Sequence, residues 1–96
     1  MNPLKSYSLA KLCGDLYRTG DGVEKSLAEA EKMYALAREY GAGYEIYLCF
    51  GYVYYEKGEY EKALKAFELA REDDYADRFA REYVWELQEK LGKKGI

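Results

Sequence analysis

Two cysteines, Cys13 and Cys49, are the strongest nucleophiles in the chain, and the chain contains no histidine to activate them. Histidine is the commonest general base and the commonest metal ligand. The cysteines show no C-x-x-C spacing, and without histidine a structural zinc site would need four of them. We therefore expect both to be small core residues of a reduced, cytoplasmic protein. A disulfide or a redox switch is the alternative.

The carboxylates also lack an arrangement that would support chemistry. Asp21 lies between two glycines, but neither a P-loop nor an EF-hand spacing follows it. The pair Asp73-Asp74 is better explained as a helix cap. Most other acidic residues fall on solvated faces, and carboxylate pairs catalyse glycoside hydrolysis only at a fixed separation in a cleft. The sequence therefore predicts a protein that is not an enzyme and has no cofactor or metal.

Length and charge restrict the function further. The 96 residues allow one domain, and 15 basic against 18 acidic residues give a net charge of −3. A chain with this mixed, slightly negative charge does not have the excess of basic residues that is typical of a nucleic-acid-binding protein. No apolar run is long enough to span a membrane, no helix has a basic polar face opposite an apolar one, and the N-terminus lacks a secretory signal. We expect no nucleic-acid or membrane partner.

Apolar residues recur at helical spacing along the chain, and glycines separate the segments. Asn2 and Pro3 suit the start of the first helix. Short loops between successive helices favour antiparallel neighbours. The five predicted helices run from about Leu4 to Thr19, Glu24 or Ser26 to Tyr40, Tyr44 to Lys57, Tyr60 to Arg71, and from the Asp73-Asp74 cap to Leu91.

Each helix has a stripe of residues expected to face the core. The predicted stripes are Leu9, Cys13 and Leu16, with Leu12 and Tyr17 beside them; Leu27, Ala30, Tyr34 and Ala37; Ile46, Phe50, Val53 and Tyr54; Ala63, Phe67 and Ala70; and Ala76, Phe79, Ala80, Tyr83, Val84, Leu87 and Leu91.

The helix pairs repeat one another. Gly51 aligns with Gly14 at an offset of 37 residues, and Ala63 aligns with Ala30 at an offset of 33. Glycine in mid-helix is less stable than alanine by up to ~1 kcal/mol. We therefore expect a neighbouring helix to cross closely at both glycines, with aromatic side chains filling the adjoining space.

These residues resemble a known repeat family. The second pair, with Tyr47-x2-Phe50-Gly51-x2-Tyr54 followed by Ala63, Phe67 and Ala70, resembles a tetratricopeptide repeat, except that Asp73-Asp74-Tyr75 replaces the closing proline. The first pair, with Gly20-x-Gly22-Val23, resembles the Sel-like variant. The resemblance implies an all-α fold, a right-handed α-α superhelix of five antiparallel helices. Its single domain, 1–96, would comprise repeat 1 (4–41), repeat 2 (44–72) and a capping helix (74–92).

The resemblance also implies a concave groove that binds a peptide or a partner helix. In the leading hypothesis Tyr52, Tyr55 and Trp85 form the groove, because core packing does not need them. The remaining predicted groove residues are Lys11, Asp15, Arg18, Leu48 and Arg81. Three alternatives stay open: the aromatic residues cover only their own neighbours, the apolar surface serves self-association such as a homodimer, or the chain is an engineered scaffold without a natural ligand.

Overall fold

The computed structural model describes residues 6–93, and this part of the chain contains five α-helices and no strand. The prediction of an all-α protein is thus confirmed. The helices are α1 (Tyr7–Thr19), α2 (Leu27–Glu39), α3 (Ile46–Lys57), α4 (Tyr60–Ala70) and α5 (Asp74–Lys90).

The first helix begins at Tyr7, and its predicted start at Leu4 lies outside the described residues. Ser6 has extended backbone geometry, and its side-chain oxygen accepts a hydrogen bond of 3.3 Å from the amide of Leu9. This is N-capping geometry, in which a serine oxygen satisfies an amide that has no partner within the helix. The proposed start signals Asn2 and Pro3 lie outside the described residues.

The other helix ends follow local signals in the sequence. Ser26 caps α2, and Asp73 caps α5 by accepting a hydrogen bond of 2.8 Å from the amide of Ala76. Gly58 ends α3 with a φ of 78°, a conformation that glycine adopts without steric cost. The bounds of these four helices differ from the predicted ones by three residues or fewer.

Each helix packs against the next one along the chain, so that α1–α2 and α3–α4 form two successive hairpins and α5 packs on α4. In addition, α3 contacts both α1 and α5. The odd-numbered helices therefore lie next to one another along one side of a molecule measuring 50 × 28 × 18 Å.

The core consists of two apolar clusters, one contributed mainly by α1, α2 and α3 and the other by α4 and α5. Tyr47 and Tyr54 pack against both clusters and thus join them. The predicted stripes of α2, α3 and α4 are largely confirmed. The hydrophobic residues without exposed surface are Ala30, Tyr34, Ala37, Ile46, Val53, Ala63, Phe67, Ala70, Ala76, Ala80 and Leu87.

Both mid-helix glycines lie where an aromatic ring crosses closely, as predicted. A Cβ atom added to Gly14 would lie 2.5 Å from a ring carbon of Tyr34, and one added to Gly51 would lie 2.5 Å from a ring carbon of Phe67. The two hairpins thus share one packing contact at equivalent positions. Tyr34 and Phe67 are separated by the same 33-residue offset as the aligned alanines.

The predicted stripe of α1 is wrong at Leu9, Leu12 and Cys13, whereas Leu16 and Tyr17 are partly buried and Tyr17 packs against the first core cluster. The buried residues of α1 are Ala10 and Gly14, whereas Leu9 is 50% exposed and Cys13 is also exposed. The smallest side chains face α2 because the two backbones approach closely there, and this turns the larger side chains outward. One member of the α5 stripe is also misplaced, since Phe79 is exposed.

Candidate functional site

The odd-numbered helices together form an open cleft of about 530 Å³. We call it the tyrosine cleft. Its lining comes from α1, α3 and α5, which makes it a site that no single hairpin could form. The lining residues are Arg18, Tyr52, Tyr55, Glu56 and Tyr83.

Three tyrosine rings form the walls of the tyrosine cleft. Tyr83 makes edge-to-face contacts with Tyr52, at 5.6 Å between ring centres, and with Tyr55, at 5.3 Å. Its other contact is a stack on the buried ring of Phe67, with ring centres 4.5 Å apart. Such pairs contribute about 0.5–1.5 kcal/mol beyond the area they bury. The walls are therefore held in place before any ligand binds.

Arg18 is the only cation among the residues that line the cleft. Its guanidinium carbon lies 5.1 Å from the centre of the Tyr52 ring, and a terminal nitrogen lies 3.8 Å from a carboxylate oxygen of Glu56. Glu56 also pairs with Lys25 at 3.1 Å. A ligand carboxylate would thus compete with Glu56 for the guanidinium.

A polar network beneath the cleft explains the position of Arg18. The hydroxyl of Tyr34 donates a hydrogen bond of 2.5 Å to Asp15 and accepts one of 3.2 Å from Nε of Arg18. Lys11 pairs with Asp15 at 3.1 Å. Burial and the bond to Asp15 raise the pKa of Tyr34 well above its ordinary value. The predicted groove residues Lys11 and Asp15 therefore neutralise each other within the network.

The other phenols of the cleft also have raised pKa values. For Tyr55 the hydrogen bond to Glu86, followed by burial, raises the pKa to about 12. For Tyr52 burial, followed by the proximity of Tyr83, raises the pKa above its ordinary value. Both hydroxyls are protonated at neutral pH, and that of Tyr52 can donate a hydrogen bond to a ligand, whereas the single hydrogen of the Tyr55 hydroxyl is already donated to Glu86.

The structure brings together some of the predicted groove residues and separates others. Arg18, Tyr52 and Tyr55 line the tyrosine cleft, but Trp85 and Arg81 line a different depression of about 490 Å³ with two glutamates of α5. Leu48 is partly buried against the second core cluster. The third aromatic ring of the cleft is therefore that of Tyr83, whereas the sequence predicts Trp85 in that place.

Sequence reasoning missed Tyr83 as a cleft residue, because it lies on the apolar stripe of α5, which is expected to face the core. Its ring does pack on Phe67, but an edge remains accessible in the cleft. The available signal was its position at the border of the stripe, since an amphipathic tyrosine there can serve core and surface together.

The two cysteines differ in environment. Cys49 is buried, and burial raises the pKa of its thiol to about 11, whereas Cys13 is exposed on α1. The expectation that both are core residues holds for Cys49 and is wrong for Cys13. Since a thiolate is the reactive form, Cys49 is shielded by both burial and protonation.

Over residues 6–93, no helix is both long and apolar enough to cross a bilayer. The same residues contain no group of three or more cysteine and acidic side chains that could hold a metal ion. Comparisons with models of protein families, with curated proteins and with solved structures find no match to this chain.

Proposed function

We propose that this chain is a non-enzymatic protein-interaction module that binds a peptide segment of a protein partner in the tyrosine cleft. The observation that carries the proposal is that α1, α3 and α5 together line one open cleft, in which α3 and α5 supply three tyrosine side chains and α1 supplies an arginine. Tyrosine is among the residues most enriched at binding hot spots, because its ring offers apolar area and its hydroxyl offers a hydrogen bond.

The proposal includes the fold family. We propose that the hairpins are two tetratricopeptide-like or Sel-like repeats, followed by a capping helix, in a right-handed superhelix. The equivalent contacts of Gly14 with Tyr34 and of Gly51 with Phe67 support this assignment. So does the contact of α3 with both other odd-numbered helices, since stacked helix pairs present the first helix of each pair along one face.

The experiment uses a random peptide library displayed on phage and selected against the intact chain. The selected peptides are titrated against Tyr52→Ala/Tyr55→Ala, for which we expect a Kd at least about tenfold higher, the range of hot-spot truncations. Trp85→Ala is the matched control, with an expected change below about threefold because Trp85 lies outside the cleft.

Amide chemical-shift changes on titrating the wild-type chain give a second measurement that does not depend on the stability of the variants. We expect them to concentrate at Arg18, Tyr52, Tyr55 and Tyr83. Shifts centred on Trp85 instead, with no effect of the double substitution, would contradict the proposal.

A second candidate function, self-association, is favoured by apolar side chains exposed on both outermost helices. Leu9 and Leu12 of α1 are 50% and 52% exposed, and Tyr75 and Phe79 form an exposed ring pair on α5. We propose end-to-end contact of these two surfaces as the mode of assembly. Light scattering is then expected to give a mass that rises with concentration, and Leu9→Glu/Leu12→Glu should remove the rise. A constant monomer mass would exclude this mode.

A further inference from the structure

A second groove lies on the side of α3 opposite the tyrosine cleft. Its floor residues, Tyr47, Phe50 and Tyr54, follow helical spacing along one face of α3, whereas Tyr52, Tyr55 and Glu56 point the other way. Its volume is about 290 Å³. Helices α2 and α4 contribute three cations to its edges, and we call it the cationic groove. These cations are Arg38, Lys62 and Lys65.

The floor of the cationic groove is a row of aromatic rings. The ring centres of Tyr47 and Phe50 are 5.9 Å apart, and those of Phe50 and Tyr54 are 6.1 Å apart in a stacked arrangement. Phe50 is buried, but Leu69 at the edge of the groove is 42% exposed. An apolar side chain of a partner can therefore lie against Leu69 and the partly exposed rings of Tyr47 and Tyr54, where it would be removed from water.

The cations of the groove are mostly unneutralised. Arg38 lies 5.0 Å from the ring centre of Phe50, and Lys62 lies 5.7 Å from that of Tyr54. Within residues 6–93 neither Arg38 nor Lys65 forms an ion pair, and Lys62 reaches only Glu59, at 3.8 Å. No carboxylate is among the residues that line the groove.

The acidic side chain that contacts Tyr54 of the groove also pairs with a lysine outside the groove. Glu31 accepts a hydrogen bond of 3.2 Å from the hydroxyl of Tyr54 and pairs with Lys57 at 3.0 Å. The groove is thus a locally positive surface on a chain whose net charge is −3. Such a local excess attracts carboxylates and repels basic partners.

We infer that the cationic groove binds an acidic amphipathic segment of a partner protein, in which one or two aromatic or aliphatic side chains are flanked by aspartate or glutamate. The apolar side chains would lie on the aromatic floor, and the carboxylates would pair with Arg38, Lys62 and Lys65. Charge complementarity selects this occupant. A duplex nucleic acid or an anionic membrane surface would pair with the three cations and leave the apolar floor unused.

The test uses a fluorescent probe peptide of about twelve residues with two phenylalanines four positions apart, the spacing of groove-binding helices, and acidic residues at most other positions. We expect fluorescence anisotropy to show saturable binding to the full chain. The apparent Kd should rise about tenfold between low and high salt, because exposed charge pairs are screened. A control peptide with lysine in place of the acidic residues should not bind.

Substitutions that reverse the charge of the groove lysines test whether the probe peptide binds in the cationic groove. Lys62→Glu/Lys65→Glu is expected to raise the Kd by about tenfold or more, and Lys62→Gln/Lys65→Gln by less. The matched control, Lys32→Glu/Arg78→Glu, makes the same charge change at exposed sites outside the groove and is expected to alter the Kd less than about twofold. Circular dichroism checks that all three variants keep their helicity.

Several outcomes would overturn the inference. One is probe binding that Lys62→Glu/Lys65→Glu leaves unchanged; another is an equal loss in the matched control, which would indicate attraction to net charge alone. Binding of anionic phospholipid vesicles or of an oligonucleotide, without binding of the probe, would assign the groove to another class of ligand. Loss of probe binding on Tyr52→Ala/Tyr55→Ala alone would move the site to the tyrosine cleft. The inference does not depend on the function proposed for that cleft.

Discussion

Replacing Phe67 by alanine is expected to lower the free energy of unfolding by about 3–5 kcal/mol, the range for deletion of a buried aromatic ring. The ring has no exposed surface, stacks on Tyr83 with centres 4.5 Å apart, and meets the edge of Tyr52 at 5.7 Å. Its loss would leave a cavity between Gly51 of α3 and the helix α5. Small domains have a total stability of about 5–15 kcal/mol, so urea denaturation followed by circular dichroism should detect the change readily.

Phe79→Ala is the matched control, because it makes the same substitution in a phenylalanine of the same chain. Phe79 is 42% exposed and contacts the likewise exposed Tyr75, so its truncation is expected to cost less than about 1 kcal/mol. Both phenylalanines belong to the stripes predicted from helical spacing. If both variants lost the same free energy of unfolding, Phe79 would be buried in the core, as its stripe predicts, and not exposed as in the structure.

The helical spacing of apolar residues was sufficient to predict the five helices and most of the core residues. It predicted five helices and the burial of the small residues of α2 and α4, because their apolar stripes are flanked by charged residues on both sides. It also predicted the close crossings at Gly14 and Gly51, since only a tight approach explains glycine at equivalent positions in mid-helix.

The face of α1 could not be predicted by periodicity, because the pattern gives weight to large apolar residues. At a close crossing the buried positions belong to the smallest residues, here Ala10 and Gly14, and Leu9 is displaced toward solvent. The stripe of large residues and the glycine contact pointed to different faces of the same helix. The glycine contact indicated the correct buried face, because a large side chain does not fit at a close helix crossing however apolar it is.

The candidate site was predictable only in part, because a cleft between helices depends on their relative rotation. Tyr52 and Tyr55 were identified since they lie off the core stripe of α3, and Arg18 of α1 reaches the same cleft. The rotation of α5 could not be obtained from the pattern. It directs Tyr83 into the cleft and Trp85, two residues further on, into a separate depression.

Gly51→Ala is expected to destabilise the chain by about 1–3 kcal/mol, although alanine is the better helix former by up to about 1 kcal/mol. The added Cβ would lie 2.5–2.7 Å from three ring carbons of Phe67. The ring cannot move aside readily, because Tyr52 and Tyr83 pack against it. Thermal and urea denaturation of Gly51→Ala against wild type measure the effect, and a stabilised variant would mean that helix propensity outweighs the close contact.

A double-mutant cycle separates this steric cost from other effects of the substitution. In a Phe67→Leu background the ring carbons Cε1 and Cζ that crowd the added Cβ are absent, so Gly51→Ala is expected to lower the free energy of unfolding by less there than in wild type.

Gly14→Ala should also destabilise the chain, because Asp15 and Arg18 hold the hydroxyl of Tyr34 and fix its ring against the glycine. If only one of the two glycines is sensitive, the hairpins are not energetically equivalent repeats, even though their contacts match.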